Sequence, residues 1–433
     1  MIRRDFYLTK LRAAMGNGLV KVITGIRRSG KSYLLFDIFK THLLESGVQD
    51  DHIIAVQLDM DDYADLRVPR NLSAWIKKRL PDDGKQVFVF IDEIQMCKPS
   101  AEEMKDPRTC VTFYDVLNSL MKRRGVDIYV TGSNSEMLSK DIATNFRDRG
   151  VEIRVWPLSF AEYYAIGGRE KAEAWESYLV WGGMPLAVLS NDDAARASYL
   201  ESLFDRVYFK DIIERYNLAD DGYVLGTLVD VLASGIGSLT NPHRLALAMK
   251  SERKVDVSEP TVDSYVAHLE DSFLFNSAAR WDVKGKRYLS YPSKYYMVDP
   301  GLRNARLNFR QTEYSHIMEN VIYNDLLRRG YRVDVGVVET VEKDKDGKSV
   351  RKRREIDFVV NSGTRKIYIQ SAFEIPGEEK REQETESLRK SGDFFKKVVI
   401  VGGSMAPRND QDGILYVGVI PFLLDPLILE GLM

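Results

Sequence analysis

One octapeptide near the amino terminus constrains the fold more than any other feature of the chain. Residues 25–32 read Gly-Ile-Arg-Arg-Ser-Gly-Lys-Ser, which matches the pattern G-x-x-x-x-G-K-[ST]. An apolar, β-rich run, Leu19–Thr24, precedes it, and a segment with helical apolar spacing, Ser32–His42, follows it. A glycine-rich turn between a strand and a helix lets backbone N–H groups and the helix N-terminus approach phosphate oxygens. The motif therefore predicts a phosphate-binding loop.

The side chains of this loop suit a nucleoside triphosphate with its magnesium ion. Lys31 can reach the β- and γ-phosphates, and the Ser32 hydroxyl can ligate Mg²⁺. The alternative is a glycine-rich turn that leaves the lysine exposed. We expect ATP and Mg²⁺ as cofactors, and the loop residues assigned to nucleotide binding are Gly25, Arg28, Ser29, Gly30, Lys31, Ser32 and Tyr33.

A second apolar run, Val87–Ile91, ends in two acidic residues, Asp92 and Glu93. An aspartate at the carboxyl end of a strand beside the phosphate loop can hold Mg²⁺, and the adjacent glutamate can polarise an attacking water. The pair therefore predicts ATP hydrolysis, with Lys31 and Glu93 as catalytic residues and Asp92 and Ser32 as metal ligands. The alternative is an acidic strand end that faces solvent.

Two more polar positions complete the predicted catalytic set. The run Ile128–Thr131 is followed by Asn134, the first candidate ahead of Ser133 to hydrogen-bond the γ-phosphate or the water. Simple turn formation is the alternative for these two residues. Arg149 lies in the segment Phe146–Gly150, from which it could stabilise the transferred phosphoryl group in a neighbouring subunit. A surface ion pair with an aspartate is the alternative for Arg149.

Strand-like apolar runs separated by helix-length segments organise the first part of the chain. The further runs are Ile53–Leu58 and Val151–Val155. Alternating strands and helices favour a parallel sheet covered on both faces. We therefore predict an α/β fold in four parts: a P-loop sheet domain over 1–165, a helical lid over 166–220, a winged helix-turn-helix over 221–305, and a second α/β domain over 306–433.

Composition excludes several classes of protein. The 433 residues are too many for one hydrophobic core, and a net charge of −2 gives no overall attraction to nucleic acid. Two cysteines, Cys97 and Cys110, cannot form a disulfide framework or a four-thiolate zinc site, and they fit a reducing cytoplasm. The amino terminus does not read as a secretory signal, and no apolar run reaches the roughly 18 residues of a membrane span. We expect a cytoplasmic protein with no membrane partner.

Taken together, these motifs resemble the AAA-type P-loop ATPase family of bacteria and archaea, in the neighbourhood of the STAND and archaeal ATPases. The resemblance extends over nearly the whole chain and rests on GIRRSGKS, VFVFIDEIQ, TGSNS, RDRG with WPLSFAEYY, GGMP and KYYMVDPGLRN. It implies that the phosphate-loop strand is central, that the Asp92 strand is not adjacent to it, and that Gly183 and Pro185 of the lid approach the nucleotide. It also implies that Arg149 acts in trans, with Arg147 as the alternative. A rigid helix start is the alternative role for Pro185.

Three helices followed by a β-hairpin within residues 221–305 indicate the winged helix-turn-helix. The third helix carries acidic residues that would meet DNA phosphates unfavourably, whereas the hairpin carries basic and aromatic residues that suit backbone contact or base stacking. These hairpin residues are Arg280, Lys284, Lys286, Arg287 and Lys294, interleaved with Trp281, Tyr288 and Tyr291. We assign DNA contact to the first four, and a solvated hairpin or a protein-docking module is the alternative.

The order of acidic residues in 306–433 resembles the restriction-endonuclease-like fold. In that fold a helix Glu, a strand Asp and a Glu-x-Lys on the next strand bind Mg²⁺ and activate water. Glu319 and Asp357 match the first two, but Gln370 and Ala372 stand where the Glu and the Lys would be. We therefore expect a degenerate nuclease site, formed by Glu319, Asp357 and Gln370, that does not cleave.

A basic run beside this site, with Arg351, Lys352 and Arg353, is also assigned to DNA contact, and a solvated hairpin is its alternative. The leading interpretation is a Mg²⁺-dependent ATPase, acting as a homo-oligomer such as a hexamer, that couples nucleotide turnover to binding or remodelling of DNA, including branched DNA. The alternative is a regulatory switch of the STAND kind whose C-terminal domains bind protein partners in defence or signalling. An active ATP-driven nuclease is disfavoured by Gln370 and Ala372.

Overall fold

The computed structural model describes residues 2–106, 108, 110–133, 149–218, 222–310, 313–343 and 348–432. The chain forms two compact units: unit 1 is Met1–Trp156 with Asp271–Phe273, and unit 2 is Pro157–Glu270 with Leu274–Met433. Unit 2 contains nearly all of the segments predicted as lid, winged helix and nuclease-like domain. The division into four domains stays a prediction.

Unit 1 is built on a parallel β-sheet, as predicted. Within its described residues the strands are β1 (Val20–Thr24), β2 (Ile53–Gln57), β3 (Val87–Asp92), β4 (Val126–Thr131) and β5 (Gly150–Arg154). They lie in the order β2-β3-β4-β1-β5, with all neighbours parallel. The strand before the phosphate loop is therefore an interior strand, and β4 separates it from β3, as the resemblance implied.

Helices cover both faces of this sheet. The helical segments are α1 (Asp5–Ala14), α2 (Lys40–Glu45), α3 (Pro69–Arg79) and α4 (Phe113–Met121), a π-helical segment at Tyr33–Phe39, and 3₁₀ turns at Asp50–His52, Asp61–Arg67, Ile94–Met96 and Glu103–Lys105. Successive strand residues point to opposite faces. Val89 accordingly joins the core beside α3 and α4, while Phe88 and Phe90 join the core beside α1 and α2. The strands read as continuous apolar runs because both faces are buried.

Unit 2 begins with helices. Those described are α5 (Phe160–Ala165), α6 (Lys171–Trp181), α7 (Pro185–Leu189), α8 (Asp193–Leu203), a π-helical segment (Phe204–Phe209), α9 (Lys210–Tyr216), α10 (Tyr223–Ser234), α11 (Pro242–Arg253), α12 (Glu259–Asp271), α13 (Pro300–Arg306), α14 (Tyr314–Arg328), α15 (Glu378–Arg389), α16 (Val419–Leu424) and a 3₁₀ turn (Glu430–Leu432). No helix in the described part of the chain is long and apolar enough to cross a membrane.

A single mixed sheet runs through unit 2. In the described ranges its strands are β6 (Leu239–Thr240), β7 (Phe275–Asp282), β8 (Arg287–Met297), β9 (Arg332–Lys343), β10 (Ser349–Ser362), β11 (Arg365–Ala372), β12 (Lys396–Val401), β13 (Arg408–Asn409) and β14 (Leu415–Gly418). Their order is β13-β14-β12-β11-β10-β9-β7-β8-β6. The hairpin β7–β8 is present as predicted, but β7 also pairs in parallel with β9. The hairpin therefore continues the sheet of the C-terminal region.

The main core of unit 2 also joins segments that the sequence separates. Trp175 and Leu179 of α6 belong to the same cluster of buried residues as Tyr296 of β8, Met318 of α14 and Ile400 of β12. Because apolar burial is the dominant favourable term in folding, segments that share one core depend on one another for stability.

Candidate functional site

The loop of residues 25–32 follows β1 with a backbone that strongly favours glycine at its first position. Gly25 has φ +135° and Gly30 φ +92°, and Arg28 has φ +63°. A Cβ on Gly25 would lie 2.1 Å from the carbonyl oxygen of Val155, so a side chain there would clash with backbone. Strained, positive-φ positions of this kind cluster where backbone N–H groups are aimed at a ligand.

Inside the loop, Lys31 folds back onto the backbone. Its Nζ donates to the carbonyl oxygens of Gly25 at 2.9 Å and Ile26 at 3.1 Å, and the side chain is buried. The hydroxyl of Ser29 is also buried and has no partner among the described residues. Ser32 and Tyr33 are half-buried at the start of the helical segment, and Arg28 is exposed. An orphaned hydroxyl, a lysine that donates to neutral carbonyls and a helix N-terminus together fit a bound phosphate group.

Arg4, which belongs to none of the predicted motifs, hydrogen-bonds to the backbone of the loop. Its Nη1 donates to the Ser29 carbonyl at 3.2 Å and its Nη2 to the Trp156 carbonyl at 2.7 Å. The guanidinium also lies over the ring of Tyr7, whose hydroxyl accepts from the Trp156 N–H at 3.0 Å. The two carbonyls are far apart in sequence, so no local pattern could have identified this contact.

The predicted acidic pair lies at the carboxyl end of β3, next to the end of β4. The Thr131 hydroxyl donates to the Asp92 carboxylate and accepts from the Glu93 backbone N–H at 3.0 Å. Asp92 is buried, and Glu93 sits in the left-handed region with φ +51°. Thr131 thus positions both acids. The sequence interpretation assigned catalytic roles only to residues after β4 and therefore missed Thr131, which is the last residue of that strand.

The electrostatic surroundings of Glu93 show how closely the charged groups converge. Burial raises the pKa of Glu93, and the Lys31 ammonium opposes that shift while the Asp92 carboxylate adds to it. The Gln95 side-chain amide donates to the Glu93 carboxylate, which also holds the pKa down. Lys31, Asp92 and Glu93 therefore lie near one another at the carboxyl ends of β1 and β3.

The structure describes one of the two remaining catalytic candidates, Arg149. Asn134, together with the alternative arginine Arg147, lies outside the described residues. Arg149 is exposed and immediately precedes β5, and its carbonyl accepts from the N–H of Val20 at 2.9 Å. Val20 is the first residue of β1, whereas the phosphate loop follows the last one. Arg149 therefore lies at the opposite sheet edge from the loop of its own chain.

In unit 2, the GGMP turn packs against the VDPG segment. The Gly183 N–H donates to the Asp299 carboxylate at 2.6 Å, and the Gly183 carbonyl accepts from the Leu158 N–H at 2.7 Å. A Cβ on Gly183 would lie 1.9 Å from the Leu158 carbonyl oxygen. Burial raises the pKa of Asp299 to about 6, although backbone N–H groups stabilise its charged form. Pro185 begins α7 directly after this turn, and its approach to nucleotide stays a prediction.

The basic residues of the hairpin differ widely in exposure. Lys284 and Lys286 are exposed at the turn, with no ion pair among the described residues, whereas Arg287 pairs with Asp282 at 3.5 Å. Arg280 is half-buried, and burial lowers its pKa. Lys294 is fully buried, so its place in an exposed basic cluster was a wrong expectation. Beside the turn, the rings of Trp281 and Tyr288 pack edge to face at 4.8 Å; the side chain of Tyr291 lies outside the described part of the chain.

The second basic run faces acidic residues of the neighbouring strand. Lys352 pairs with Glu342 at 3.1 Å and Arg353 with Glu339 at 2.6 Å, across the antiparallel pair β9–β10. Arg351 is exposed. Cross-strand pairs partly neutralise this run, so it attracts phosphates less than its sequence suggested.

The residues assigned to a degenerate nuclease site divide into two groups. Glu319 of α14 and Asp357 of β10 both lie against the Lys294 ammonium, at 2.8 and 3.4 Å. Gln370 is not part of this contact, and its side-chain amide lies 3.5 Å from a carboxylate oxygen of Glu384. Glu355, two residues before Asp357 in the same strand, lies 2.7 Å from Lys294 and was missed by the sequence interpretation.

Comparison with known proteins agrees with the geometry of unit 1. Residues 17–164 match a family described as an AAA domain, and residues 172–313 match a family described as a domain of unknown function. An uncharacterised protein of Haemophilus influenzae is 31% identical over 429 residues, which cover 98% of this chain and 99% of that protein. An uncharacterised protein of Methanocaldococcus jannaschii is 27% identical over 391 residues, which cover 86% of this chain and 78% of that protein.

Solved structures share parts of the fold at low identity. The Walker-type ATPase of Pyrococcus abyssi aligns over 71% of this chain and 96% of its own, with 15% identity and a TM-score of 0.46. The ORC1 protein of Aeropyrum pernix, solved in complex with DNA, aligns over 71% of this chain and 93% of its own, with 13% identity and a TM-score of 0.29. Both scores are below 0.5, so the assignment rests on the phosphate loop, the sheet order and the AAA-domain match.

The sheet order and the phosphate loop define a P-loop NTPase fold in unit 1, and residues 17–164 of that unit match an AAA domain. Through its match along nearly its whole length, the chain belongs to the same family as the Haemophilus influenzae protein. In this chain an AAA domain is followed by a domain of unknown function.

Proposed function

We propose that this protein binds ATP with Mg²⁺ at the loop of residues 25–32 and hydrolyses it to ADP and phosphate. The observation that carries the proposal is the convergence of Lys31, Asp92 and Glu93 at one edge of a parallel sheet. A lysine and two carboxylates at a phosphate-binding loop supply what phosphoryl transfer needs, which is positioning and charge stabilisation.

Each residue has a distinct task in this proposal. Lys31 exchanges its two loop carbonyls for phosphate oxygens, because a charged acceptor forms the stronger hydrogen bond. Ser32 and Asp92 would hold Mg²⁺, which neutralises charge on the phosphates when bound. Glu93, in its ionised form, orients and polarises the attacking water. Thr131 holds the Asp92 carboxylate and the Glu93 backbone in position through hydrogen bonds.

The proposal is tested with Glu93→Gln, which removes the charge and keeps the shape. We expect ATP turnover to fall by about 100-fold or more while the affinity for ATP changes little, because the loop is intact. Glu102→Gln, an exposed glutamate of the same unit, is the matched control and keeps wild-type turnover. Equal turnover in Glu93→Gln and the control would remove Glu93 from the reaction.

We further propose that the protein works as a homo-oligomer in which Arg149 completes the site of a neighbour. The supporting observation is that Arg149 is exposed at the edge opposite its own phosphate loop. Mixing Arg149→Ala protein with Lys31→Ala protein is the test, since each variant is inactive alone and mixed oligomers regain some complete sites. A mixture as inactive as its components contradicts action in trans, and exposed Arg124 provides the control, Arg124→Ala.

DNA is a second element of the proposed function, and the exposed turn of the hairpin supports it. Lys284 and Lys286 project beside Trp281 and Tyr288, a combination that suits contact with a nucleic-acid backbone and base stacking. We expect Lys284→Ala/Lys286→Ala to lower the salt dependence of DNA binding by about two phosphate contacts. The matched control, Lys352→Ala/Arg353→Ala, removes two residues already paired with glutamates.

The test uses labelled single-stranded and branched DNA over a range of salt concentrations, together with ATP turnover in the presence of DNA. Salt-sensitive binding and stimulated turnover support a DNA-directed ATPase. Salt-insensitive or undetectable binding, with turnover that DNA does not change, contradicts it and favours a switch that binds protein partners.

A further inference from the structure

Lys294 lies in the interior of unit 2, where the charge of a lysine must be paired with acidic partners. It belongs to β8, and its residue surface is 2% exposed. Its Nζ lies 2.8 Å from Glu319 on α14, and 2.7 and 3.4 Å from Glu355 and Asp357 on β10. One ammonium therefore gathers three carboxylates from two other elements.

The surrounding groups hold the carboxylates in place rather than neutralise them. The hydroxyl of Tyr296 donates to Glu319 at 2.7 Å, and the Ser371 N–H donates to Asp357 at 2.9 Å. Gly237 approaches so closely that a Cβ there would lie 3.2 Å from the Glu319 carboxylate. The register of β10 against β9 also shifts between Ile356 and Val359, a bulge that re-aims side chains such as Asp357.

Carboxylates packed this closely require a cation. Although burial lowers the pKa of Lys294, the carboxylates of Asp357, Glu319 and Glu355 outweigh it and raise that pKa above its ordinary value. Buried charges are tolerated only when they are paired or coordinate a metal ion. Among the described residues, no group of three or more Asp, Glu, His or Cys side chains is arranged to hold a metal ion.

We propose that the Lys294 ammonium is the resident cation of this site: it occupies the space between Glu319, Glu355 and Asp357, supplies the positive charge that they require, and so keeps the site closed to metal. The site is thereby a structural joint rather than a catalytic centre. It fastens β8 of the hairpin to α14 and β10 of the C-terminal region. The inference is independent of the nucleotide chemistry proposed for unit 1.

The test is a Mn²⁺ titration of the nucleotide-free, full-length protein, with free Mn²⁺ followed by electron paramagnetic resonance. Wild type is expected to show no Mn²⁺ binding that depends on Asp357. Lys294→Ala opens the position, and we expect it to bind one Mn²⁺ at least about tenfold more tightly than wild type, because three carboxylate groups then lack a cation. Lys294→Ala/Asp357→Asn should lose this binding, and Lys284→Ala, an exposed lysine of the same hairpin, should not gain it.

Thermal unfolding provides the second measurement and guards against misfolding of the variant. Lys294→Ala should melt below wild type, and Mn²⁺ should raise its melting temperature by about 3 °C or more while leaving that of wild type unchanged. Should Lys294→Ala fail to fold, Lys294→Met is compared with Lys294→Met/Asp357→Asn. The double variant should melt higher, because it removes a buried carboxylate that has lost its lysine partner.

Three outcomes would overturn the inference. The first is Asp357-dependent Mn²⁺ binding by wild type. The second is Mg²⁺- or Mn²⁺-dependent cleavage of DNA by wild type that Asp357→Asn abolishes, since Lys294 would then be part of a working nuclease. The third is a folded Lys294→Ala protein that gains no Mn²⁺ binding or, when that variant does not fold, a Lys294→Met/Asp357→Asn variant no more stable than Lys294→Met.

Discussion

The protein contains two sites in which a lysine and carboxylates lie close together, and the two lysines have different partners. In unit 1, Lys31 donates to neutral backbone carbonyls, and the carboxylates of Asp92 and Glu93 bond to Thr131 and Gln95. In unit 2, Lys294 bonds directly to the carboxylates. The first arrangement includes neutral acceptors, which a charged ligand can replace, whereas in the second the lysine and the carboxylates contact one another directly.

The two sites also differ in their backbone φ values. The phosphate loop and the residue after β3 use positive φ values at Gly25, Arg28, Gly30 and Glu93. Lys294, Glu355 and Asp357 lie within strands, and none of the three has a positive φ value. Non-glycine residues with positive φ, such as Arg28 and Glu93, are found more often at active sites and ligand-binding loops. The positive φ values thus distinguish the loop of unit 1 from the strands that carry the charged residues in unit 2.

The largest difference between the two sites is expected when one aspartate is neutralised at each of them. Asp92→Asn should lower ATP turnover by about 100-fold, because it removes a proposed metal ligand. Asp357→Asn should leave turnover within about twofold of wild type, because the charge it removes is satisfied within unit 2. Steady-state turnover of the two variants side by side is the measurement. Comparable losses in both would show that the second site takes part in ATP hydrolysis.

The next prediction concerns the protonation of Glu319 in unit 2. Burial, together with the Asp357 carboxylate, raises the pKa of Glu319 to about 7. The stability that this group contributes is therefore complete below its ordinary pKa and is lost as pH rises through about 7. Between acid and mildly alkaline pH, the difference in unfolding free energy between Glu319→Gln and wild type should shift toward the variant by on the order of 2 kcal/mol.

Urea unfolding at the two ends of this pH range measures that shift. Glu379→Gln, an exposed glutamate of the same unit, is the control and should track wild type throughout. A difference that stays constant with pH, or that moves toward wild type as pH rises, contradicts the burial argument for Glu319.

A smaller effect is expected at the hydroxyl that positions the acidic pair in unit 1. Thr131→Val keeps the shape but removes the hydrogen bonds to Asp92 and to the Glu93 N–H. Hydrogen bonds to charged groups are worth about 1.5–3 kcal/mol, so turnover should fall by about tenfold while ATP still binds. Turnover equal to wild type would mean that the acids hold their positions without Thr131.

The smallest expected effect is a change in the pKa of Glu93. Gln95→Ala removes a donor that stabilises the charged form of Glu93, so the pKa of Glu93 should rise further. Because Glu93 acts in its ionised form, the acid limb of the pH–turnover profile should move to higher pH, with little change at the plateau. A limb that stays in place, or that moves to lower pH, would show that another group controls it.

The sequence predicted the features that are local or periodic. The strand–loop–helix motif at Gly25–Ser32, the apolar strand ending in Asp92 and the order of strands and helices in unit 1 depend on neighbouring residues, and the structure contains them. The hairpin turn at Lys284 and Lys286 is equally local. Each of these signals is complete within a short window, so one chain is enough to detect it.

What the sequence did not predict depends on contacts between distant residues. Arg4 meets Ser29 and Trp156, and Lys294 meets Glu319 and Asp357, through packing that no spacing encodes. The alternation of side chains along a strand indicates which residues face the core but not which strand lies alongside. For this reason the sequence alone groups Lys294 with the lysines of the hairpin turn, although its side chain is buried.

The parallel pairing of β7 with β9 has a practical consequence for dissecting the protein. Cutting the chain at residue 305 would leave β7 as a bare edge, with unpaired N–H and carbonyl groups ready to recruit another chain. It would also strip Tyr296 and its neighbours of the apolar side chains that cover them. Fragments intended to stay soluble should keep 274–432 continuous, and a fragment that stops at Trp156 forfeits Asp271–Phe273, which belong to unit 1.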